Sequence, residues 1–329
     1  MDCISIAVKK YMPLLAIALL LTVAASSCSE SNVPCEQVKI PVKLTIRHNL
    51  EWTDTLFYPN GYQARGGIEQ PPCRVRYVIR AYPKGANGGQ SHLFEFFSND
   101  LTLSTFTTTL KLPMGAWDLY AWQDLVTEGE EPYYNVNDFR EISYIKPYRG
   151  DTDHRDCFRG MVNVTVPPQA LSGQDVEGTL DLNRPTGKYV FIATDYNEFV
   201  SELGSQNPAG YSITGIYATF MPSVFNNLED RVIDSARGMR YDATIVPLGN
   251  GRAAIAMDYV LMNSRDSGVQ LQLALRNNAT GELHAITDVI TVPLRRARIT
   301  YVEGDFLTAK SSSGINIDVG FSGDINIKI

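Results

Sequence analysis

The chain has 329 residues and a formal net charge of −7 at neutral pH, with 44% hydrophobic and 10% aromatic residues. This acidic balance argues against binding to a nucleic acid, which requires a basic stripe on the surface. The length is sufficient to bury a substantial core without disulfides or metals, and it suggests about two domains.

Residues 1–27 have the composition of a secretory signal peptide. Lys9 and Lys10 supply a basic start, and residues 11–25 are apolar. The apolar run is shorter than the roughly 20 residues that a membrane-spanning helix needs. We therefore expect this segment to direct export and then to be removed, so that the mature folded protein does not contain it.

Cys28 follows the signal segment directly, and the junction resembles a bacterial lipobox. Ala25 stands where leucine is usual, a departure that Bacteroidetes lipoproteins tolerate. The resemblance implies that the Cys28 thiol is acylated and becomes the mature N-terminus, because buried acyl chains anchor a protein to a membrane. Residues 28–37 are then a tether to the outer membrane. An ordinary signal peptide with a chance cysteine is the alternative.

Alternation of apolar and polar residues dominates the rest of the chain, and turn-forming sequences interrupt it. This period of two predicts β-strands. The predicted strands are residues 38–48, 74–82, 102–112, 116–122, 161–166, 188–194, 211–220, 253–261, 269–275, 285–292 and 297–302. Helical patterns occur only at 197–204 and 223–233. The sequence therefore predicts an all-β protein of antiparallel β-sandwich type with few short helices.

A seam between two predicted strands lies at Arg184-Pro185-Thr186-Gly187. Proline disfavours helical geometry at the residue before it, and glycine tolerates conformations that other residues avoid. We place a domain boundary at about residue 183. The N-terminal β-sandwich domain then covers 38–183 and the C-terminal one covers 184–329.

No motif for catalysis, phosphate binding or metal binding stands out, so we predict no catalytic residue, no metal and no cofactor. Residues 149–156 carry alternating aspartates like those in part of a calcium loop, but the glycine and the closing glutamate of such a loop are missing. A solvated loop is the preferred interpretation. Cys35, Cys73 and Cys157 allow at most one disulfide, whose pairing the sequence leaves open.

Two features could serve binding instead. Tyr120 and Trp122 share one face of a predicted strand and are candidates for stacking on a sugar ring, although packing in the core is the commoner role of such residues. The C-terminal region alternates again and offers candidates for strand exchange between subunits. These are Ile315, Ile317, Val319, Phe321, Ile325, Ile327 and Ile329. An edge strand paired within its own chain is the alternative.

Several segments resemble one known family. They are residues 112–126, 133–142, 154–160, 183–195 and 299–308. These stretches are similar to the fimbrillin-like lipoproteins of Bacteroidetes, which are relatives of the pilins and anchor subunits of type V fimbriae. The resemblance implies two tandem transthyretin-like β-sandwich domains, display on the outer membrane, assembly with other fimbrial subunits by strand exchange, and no enzymatic activity.

The resemblance also bears on the role within a fimbria. Stalk pilins of such systems are cut after a basic residue near the N-terminus, but Arg47 lies in a predicted strand and Arg65 lies well inside the first domain. An uncut, lipid-anchored chain fits an anchor or accessory subunit better. Thr55 and Ser235 follow aspartates in the short O-glycosylation pattern of this bacterial group, with plain turn residues as the alternative.

The sequence therefore predicts a lipid-anchored fimbrial subunit on the cell surface that takes part in pilus assembly and adhesion. The alternative is a surface lipoprotein that binds glycans or a host protein without forming a polymer. An exported enzyme is the least favoured hypothesis.

Overall fold

Strands make up most of the structure, a computed structural model that describes residues 38–50, 73–85, 91–263, 266–308 and 325–328. In chain order they are β1 (Lys39–His48), β2 (Cys73–Pro83), β3 (His92–Ser98), β4 (Phe106–Pro113), β5 (Gly115–Thr127), β6 (Tyr134–Asn135), β7 (Ile142–Tyr144), β8 (Phe158–Val166), β9 (Val176–Leu182), β10 (Thr186–Ala193), β11 (Tyr211–Tyr217), β12 (Met221–Asn226), β13 (Arg231–Ala236), β14 (Arg240–Ala243), β15 (Val246–Gly249), β16 (Arg252–Leu261), β17 (Ser267–Asn277), β18 (Leu283–Ile286), β19 (Ile290–Leu294), β20 (Ile299–Gly304) and β21 (Ile325–Lys328).

Helices are few and short among the described residues. One α-helix, α1 (Tyr196–Leu203), follows β10, and it matches the helix predicted over 197–204. Short 3-10 helices cover Asp153–Arg155, Pro168–Ser172 and Pro208–Gly210. The predicted all-β fold with few short helices is therefore confirmed.

The first β-sandwich is built from two sheets of the N-terminal half. One has the strand order β4-β1-β9 and the other β3-β2-β5-β8. The alternation predicted for the first strand is observed, because Ile40, Val42, Leu44 and Ile46 are all buried. They pack with inward side chains of the opposite sheet in a core drawn entirely from residues 40–182.

The second β-sandwich is built from strands of the C-terminal half. Its sheets have the orders β15-β16-β10-β20-β21 and β14-β11-β17-β18, with β19 also paired to β17. Both β10 and β16 are buried along almost their whole length, because apolar side chains cover both faces of this sheet. One face contributes to a large core and the other to a smaller cluster around Val190, Met257 and Tyr301.

Strand direction differs in part from the antiparallel prediction. Most ladders are antiparallel, but β1 pairs in parallel with β9, and β20 pairs in parallel with both β10 and β21. A parallel pair requires a long connection between its strands. The chain that connects β1 to β9 and the chain that connects β10 to β20 are both long enough, since each includes several other strands.

Contacts cross the predicted domain boundary at about residue 183. A small sheet of order β13-β12-β7-β6 joins strands from both halves, with Phe225 opposite Ile142. The larger core also mixes residues of 134–157 with the C-terminal strands. From Ile40 onward the described residues belong to one compact unit. The division into domains 38–183 and 184–329 therefore stays a prediction.

The helix predicted over 223–233 is wrong. This segment forms the end of β12, a turn and the start of β13. The Asn226 side chain accepts hydrogen bonds from the N–H groups of Leu228 and Glu229 at 3.0 and 3.1 Å, and Asp230 has a φ of 54°. Asparagine and aspartate stabilise turns in this way, so the local side chains override the helical spacing of the apolar residues.

Candidate functional site

The C-terminal strands form one edge of a sheet. β10 and β20 run in parallel from the pair Lys188–Ile299 onward, and β21 adds to the outer side of β20 with Thr300 opposite Ile325. Because β21 is the last strand in the order of this sheet, the described residues pair only one of its two sides. An edge strand of this kind is able to pair with another chain.

Asp195 fixes the chain where it leaves β20. Its buried carboxylate accepts hydrogen bonds from the backbone N–H groups of Phe306, Leu307 and Thr308 at 3.2, 2.9 and 2.7 Å. The Thr308 hydroxyl donates a further bond at 2.8 Å. Hydrogen bonds to a charged acceptor are stronger than neutral ones. The described chain up to residue 308 is thus held beside the end of β10.

Replacing Asp195 by alanine is expected to lower the free energy of unfolding by about 1–3 kcal/mol, because buried donors lose their acceptor. The chain after Thr308 is also expected to be cleaved faster in limited proteolysis, followed by mass spectrometry. Asp305→Ala is the matched control, since Asp305 is exposed and, among the residues that the structure describes, accepts only from the Thr194 hydroxyl, at 2.6 Å. Equal cleavage of the two variants would contradict the role given to Asp195.

Only some of the predicted site residues lie within the described part of the chain. Of the strand-exchange candidates, Ile325 and Ile327 belong to β21. The others lie outside the described residues: Ile315, Ile317, Val319, Phe321 and Ile329. Cys28, Thr55, the signal segment 1–27 and the tether 28–37 also lie outside them. Their predicted roles stay predictions.

Ser235 lies in β13, opposite Pro222. It is half-buried, and its N–H donates a hydrogen bond to the side chain of Asp234 at 2.7 Å. Its setting is therefore a strand and not a turn. Glycosylation of Ser235 stays a prediction.

The stacking role predicted for Trp122 is contradicted by its burial. Trp122 is 0% exposed and packs its ring against Tyr134 and Phe225, with centroids 5.3 and 6.3 Å apart. A sugar cannot stack on a ring that has no exposed face. Tyr120 is half-buried and packs against the same core, while Trp117 belongs to the first core.

The interpretation of residues 149–156 as a solvated loop is also wrong. The residues from Asp153 to Asp156 are buried. Each aspartate has partners in the chain after residue 183. Asp151 accepts from the N–H groups of Thr244 and Met257, Asp153 pairs with Lys188 at 3.0 Å, and Asp156 pairs with Arg184 at 2.9 Å. These carboxylates are neutralised by protein cations and donors, which leaves little reason for them to hold calcium.

A buried ion pair lies at the centre of this region. Arg155 donates to Asp258 at 2.6 Å, and both side chains are almost fully buried. Tyr148 and Tyr217 donate their hydroxyls to the other oxygen of Asp258 at 2.5 and 2.7 Å. Burial raises the pKa of the Asp258 carboxyl above its ordinary value, while Arg155 and the two hydroxyls act in the opposite direction.

Further tyrosines extend this network to the opposite sheet. The Tyr189 hydroxyl lies 3.0 Å from that of Tyr217 and 2.8 Å from that of Tyr241. Tyr241 lies against two glycines, because a Cβ atom on Gly150 or Gly215 would come within 2.4 or 2.6 Å of its ring. The network connects the loop before β8 with β11, β14 and β16. Its hydrogen bonds hold these elements together in the core.

The described residues contain no group of three or more His, Cys, Asp or Glu side chains that could hold a metal ion. Of the cysteines, Cys73 is half-buried and Cys157 is buried, and both are free thiols. Burial raises the pKa of the Cys157 thiol well above its ordinary value. In the part of the chain that the structure describes, no helix has the length and apolar character to cross a membrane.

A family model described as a family of unknown function, DUF6562, matches residues 36–329. The chain belongs to the DUF6562 family. The match covers both predicted domains, from the end of the predicted tether onward. No curated protein sequence matches this DUF6562 member.

Solved structures similar to this DUF6562 protein include the fimbrial anchor protein Mfa2 from Porphyromonas gingivalis, with 14% identity, a TM-score of 0.40, and coverage of 75% of this chain and 82% of the other. A fimbrial assembly protein from Parabacteroides distasonis has 10% identity and a TM-score of 0.41, with 82% and 92% covered. A DUF1812 protein from Bacteroides thetaiotaomicron has 14% identity and a TM-score of 0.43, with 76% and 80% covered. The first two of these three structures are fimbrial proteins by name. Similarity of this degree does not assign a function.

Proposed function

We propose that this protein is a lipid-anchored fimbrial subunit of the cell surface, of the anchor or accessory kind, that takes part in pilus assembly and adhesion by β-strand exchange. It acts with other fimbrial subunits and not as an enzyme. The observation that carries the proposal is the position of β21 at the edge of its sheet, paired only to β20 among the described strands.

Two properties of this edge support exchange. The ladder between β20 and β21 has only four residue pairs, so little hydrogen bonding has to be broken to replace it. Asp195 holds the chain up to Thr308, and residues 309–324 separate that point from β21. Sixteen residues can span at most about 55 Å, which exceeds the roughly 30 Å diameter of a small domain.

The same segments that carry the family resemblance build this edge. Residues 183–195 contain β10 and Asp195, and residues 299–308 contain β20 and the groups that Asp195 binds. Two of the stretches that resemble fimbrillin-like proteins therefore coincide with β20, which pairs with β21, and with β10, the next strand of the sheet. This coincidence supports a role for the edge in assembly.

Strand exchange is tested by two proline substitutions in β21. Proline has no backbone N–H and cannot donate to a sheet ladder. We expect the double variant Asn326→Pro/Ile327→Pro to abolish the high-mass species that cross-linking of intact cells detects for the unmodified protein, while surface display is kept. The control is Asn326→Ser/Ile327→Val, which keeps both N–H groups and is expected to behave like the unmodified protein.

A lack of any cross-linked complex with the unmodified protein would contradict the fimbrial role and favour the alternative, a surface lipoprotein that binds glycans or host protein without a polymer.

The lipid anchor has a separate test. We expect the unmodified protein in the outer-membrane fraction and accessible to protease on intact cells, and the Cys28→Ala variant to be released. Retention of that variant in the membrane would rule out Cys28 as the anchor.

A further inference from the structure

A half-open groove of about 660 Å³ lies on the outer face of the sheet that contains β14, β11 and β17. Its floor is formed by outward side chains that the strand register places side by side. Arg240 lies opposite Ile216, Asp242 lies opposite Thr214, and the neighbouring β17 adds Arg276. Its volume is within the range of roughly 300–1,000 Å³ that is common for small-molecule sites.

The lining of the groove is strongly basic, although the chain is acidic overall. Lys146, Arg237, Arg240 and Arg276 line it together with a single acidic residue, Asp242. All four cations are exposed, and none forms a salt bridge with a carboxylate in the part of the chain that is described. Four cations without a carboxylate partner around one concavity attract an anionic ligand.

Asp242 argues for a ligand that also carries hydroxyl groups. Its carboxylate accepts one hydrogen bond, from the Thr214 hydroxyl at 3.0 Å, and an ionised carboxylate has further acceptor capacity. Sulfate offers only acceptors, and a compact anion such as sulfate or phosphate has no neutral hydroxyl groups to place beside Asp242 while its charge faces the cations. An acidic sugar offers a carboxylate to the arginines and hydroxyl donors to Asp242. Ile216 and Met239 add half-buried apolar surface for the ring.

Buried hydrogen bonds and a cation–π contact hold the walls of the groove in place. Tyr148 and Tyr241 line the groove, and their hydroxyls belong to the buried network around Asp258 and Tyr189. At the rim, the guanidinium of Arg237 lies 4.1 Å from the centre of the Phe220 ring, a cation–π contact that restricts it. A site fixed in this way loses less conformational entropy when a ligand binds.

We propose that this groove binds a carboxylated saccharide, with Arg240, Arg276, Arg237 and Lys146 binding the carboxylates and Asp242 accepting from a sugar hydroxyl. Arginine suits this role because its planar guanidinium pairs with a carboxylate through two parallel hydrogen bonds. The groove lies apart from β21, so the assignment does not depend on strand exchange.

The test uses the protein without its signal segment and titrates it calorimetrically with trigalacturonic acid. The fully methyl-esterified trisaccharide keeps the sugar rings and removes the charges, and citrate keeps the charges and removes the rings. We expect saturable binding of trigalacturonic acid that weakens with rising salt, and at least tenfold weaker binding of both comparison compounds, since charged hydrogen bonds contribute about tenfold or more each.

Two arginine variants complete the test. Arg240→Gln is expected to weaken binding of trigalacturonic acid by about tenfold or more. Arg231→Gln is the matched control, because Arg231 is an exposed arginine of β13 that pairs with Glu229 outside the groove. Arg240 has no packing role in the core, so both variants should unfold like the unmodified protein. The proposal is overturned by absent binding, by equal binding of the ester or of citrate, or by equal effects of the two variants.

Discussion

Replacing Asp258 by alanine is expected to lower the free energy of unfolding by about 3–5 kcal/mol, because it leaves the buried guanidinium of Arg155 without its counter-ion. Only 1% of the Arg155 side chain is exposed, so water cannot replace the lost partner. Tyr148 and Tyr217 lose the acceptor of their hydroxyls at the same time. The change is measured as the free energy of unfolding in urea.

A matched control separates this effect from the loss of any ion pair. Asp266 pairs with Arg295 at 3.0 Å, but its side chain is 59% exposed. Exposed pairs contribute about 0–1 kcal/mol, so Asp266→Ala should be nearly neutral. Asp258→Asn keeps one acceptor oxygen, so its loss of stability should lie between those of Asp258→Ala and Asp266→Ala. A similar small loss in Asp258→Ala and Asp266→Ala would show that Arg155 is not buried as described.

The double variant Arg155→Met/Asp258→Leu gives a stricter test of the same network. Apolar residues of similar size often replace a buried ion pair at little cost, whereas removal of one partner is costly. The double variant is therefore expected to be more stable than Asp258→Ala. If the losses of stability in the single variants Arg155→Met and Asp258→Leu added up to the loss in the double variant, the two side chains would not interact.

Much of the fold was predictable because it depends on short-range alternation. In β1 each second residue from Ile40 to Ile46 is buried, as the apolar pattern indicates. The helix over 197–204 was equally readable from its apolar spacing and from Gly204 at its end. Such patterns report which face of an element is buried. They do not report which element covers that face.

The buried network was not predictable for the same reason. Residues 149–156 look solvated because they are rich in charge, and their charged and polar partners after residue 183 lie 28 to 106 residues later in the chain. The Arg155–Asp258 pair has a sequence separation of 103, and Asp151 and Met257 are 106 apart. No local pattern links such residues. Their burial follows from the tertiary fold, which brings opposite charges together where water is excluded.

The position of Asp195 in the sequence indicates a structural role that was not among the predictions. It closely follows a fully buried strand and precedes a helix, which is a usual place for an aspartate that caps a helix. In the structure its carboxylate makes no cap bond to α1 and instead binds the backbone of residues 306–308. The residue type and position were informative, but the partner was set by the parallel pairing of β10 and β20.

Replacing Trp122 by alanine is expected to lower the free energy of unfolding by about 3–5 kcal/mol, the range for removing a large aromatic side chain from a core. Trp122 lies on β5 opposite Val78, and its ring fills the space towards Tyr134 of β6 and Phe225 of β12. Its removal leaves a cavity between the N-terminal sheet and the small sheet that joins both halves. Thermal and urea unfolding measure the loss.

Tyr120→Ala is the control for Trp122→Ala, because Tyr120 lies two positions earlier in the same strand but is only half-buried. Its loss of stability is expected to be smaller. If Trp122→Ala kept the stability of the unmodified protein and lost binding to a saccharide, the tryptophan would be a ligand contact after all. If it unfolds more readily, as its burial predicts, then any loss of binding in this variant reports on folding. In that case saccharide binding has to be examined through the exposed arginines of the groove, whose replacement leaves the core intact.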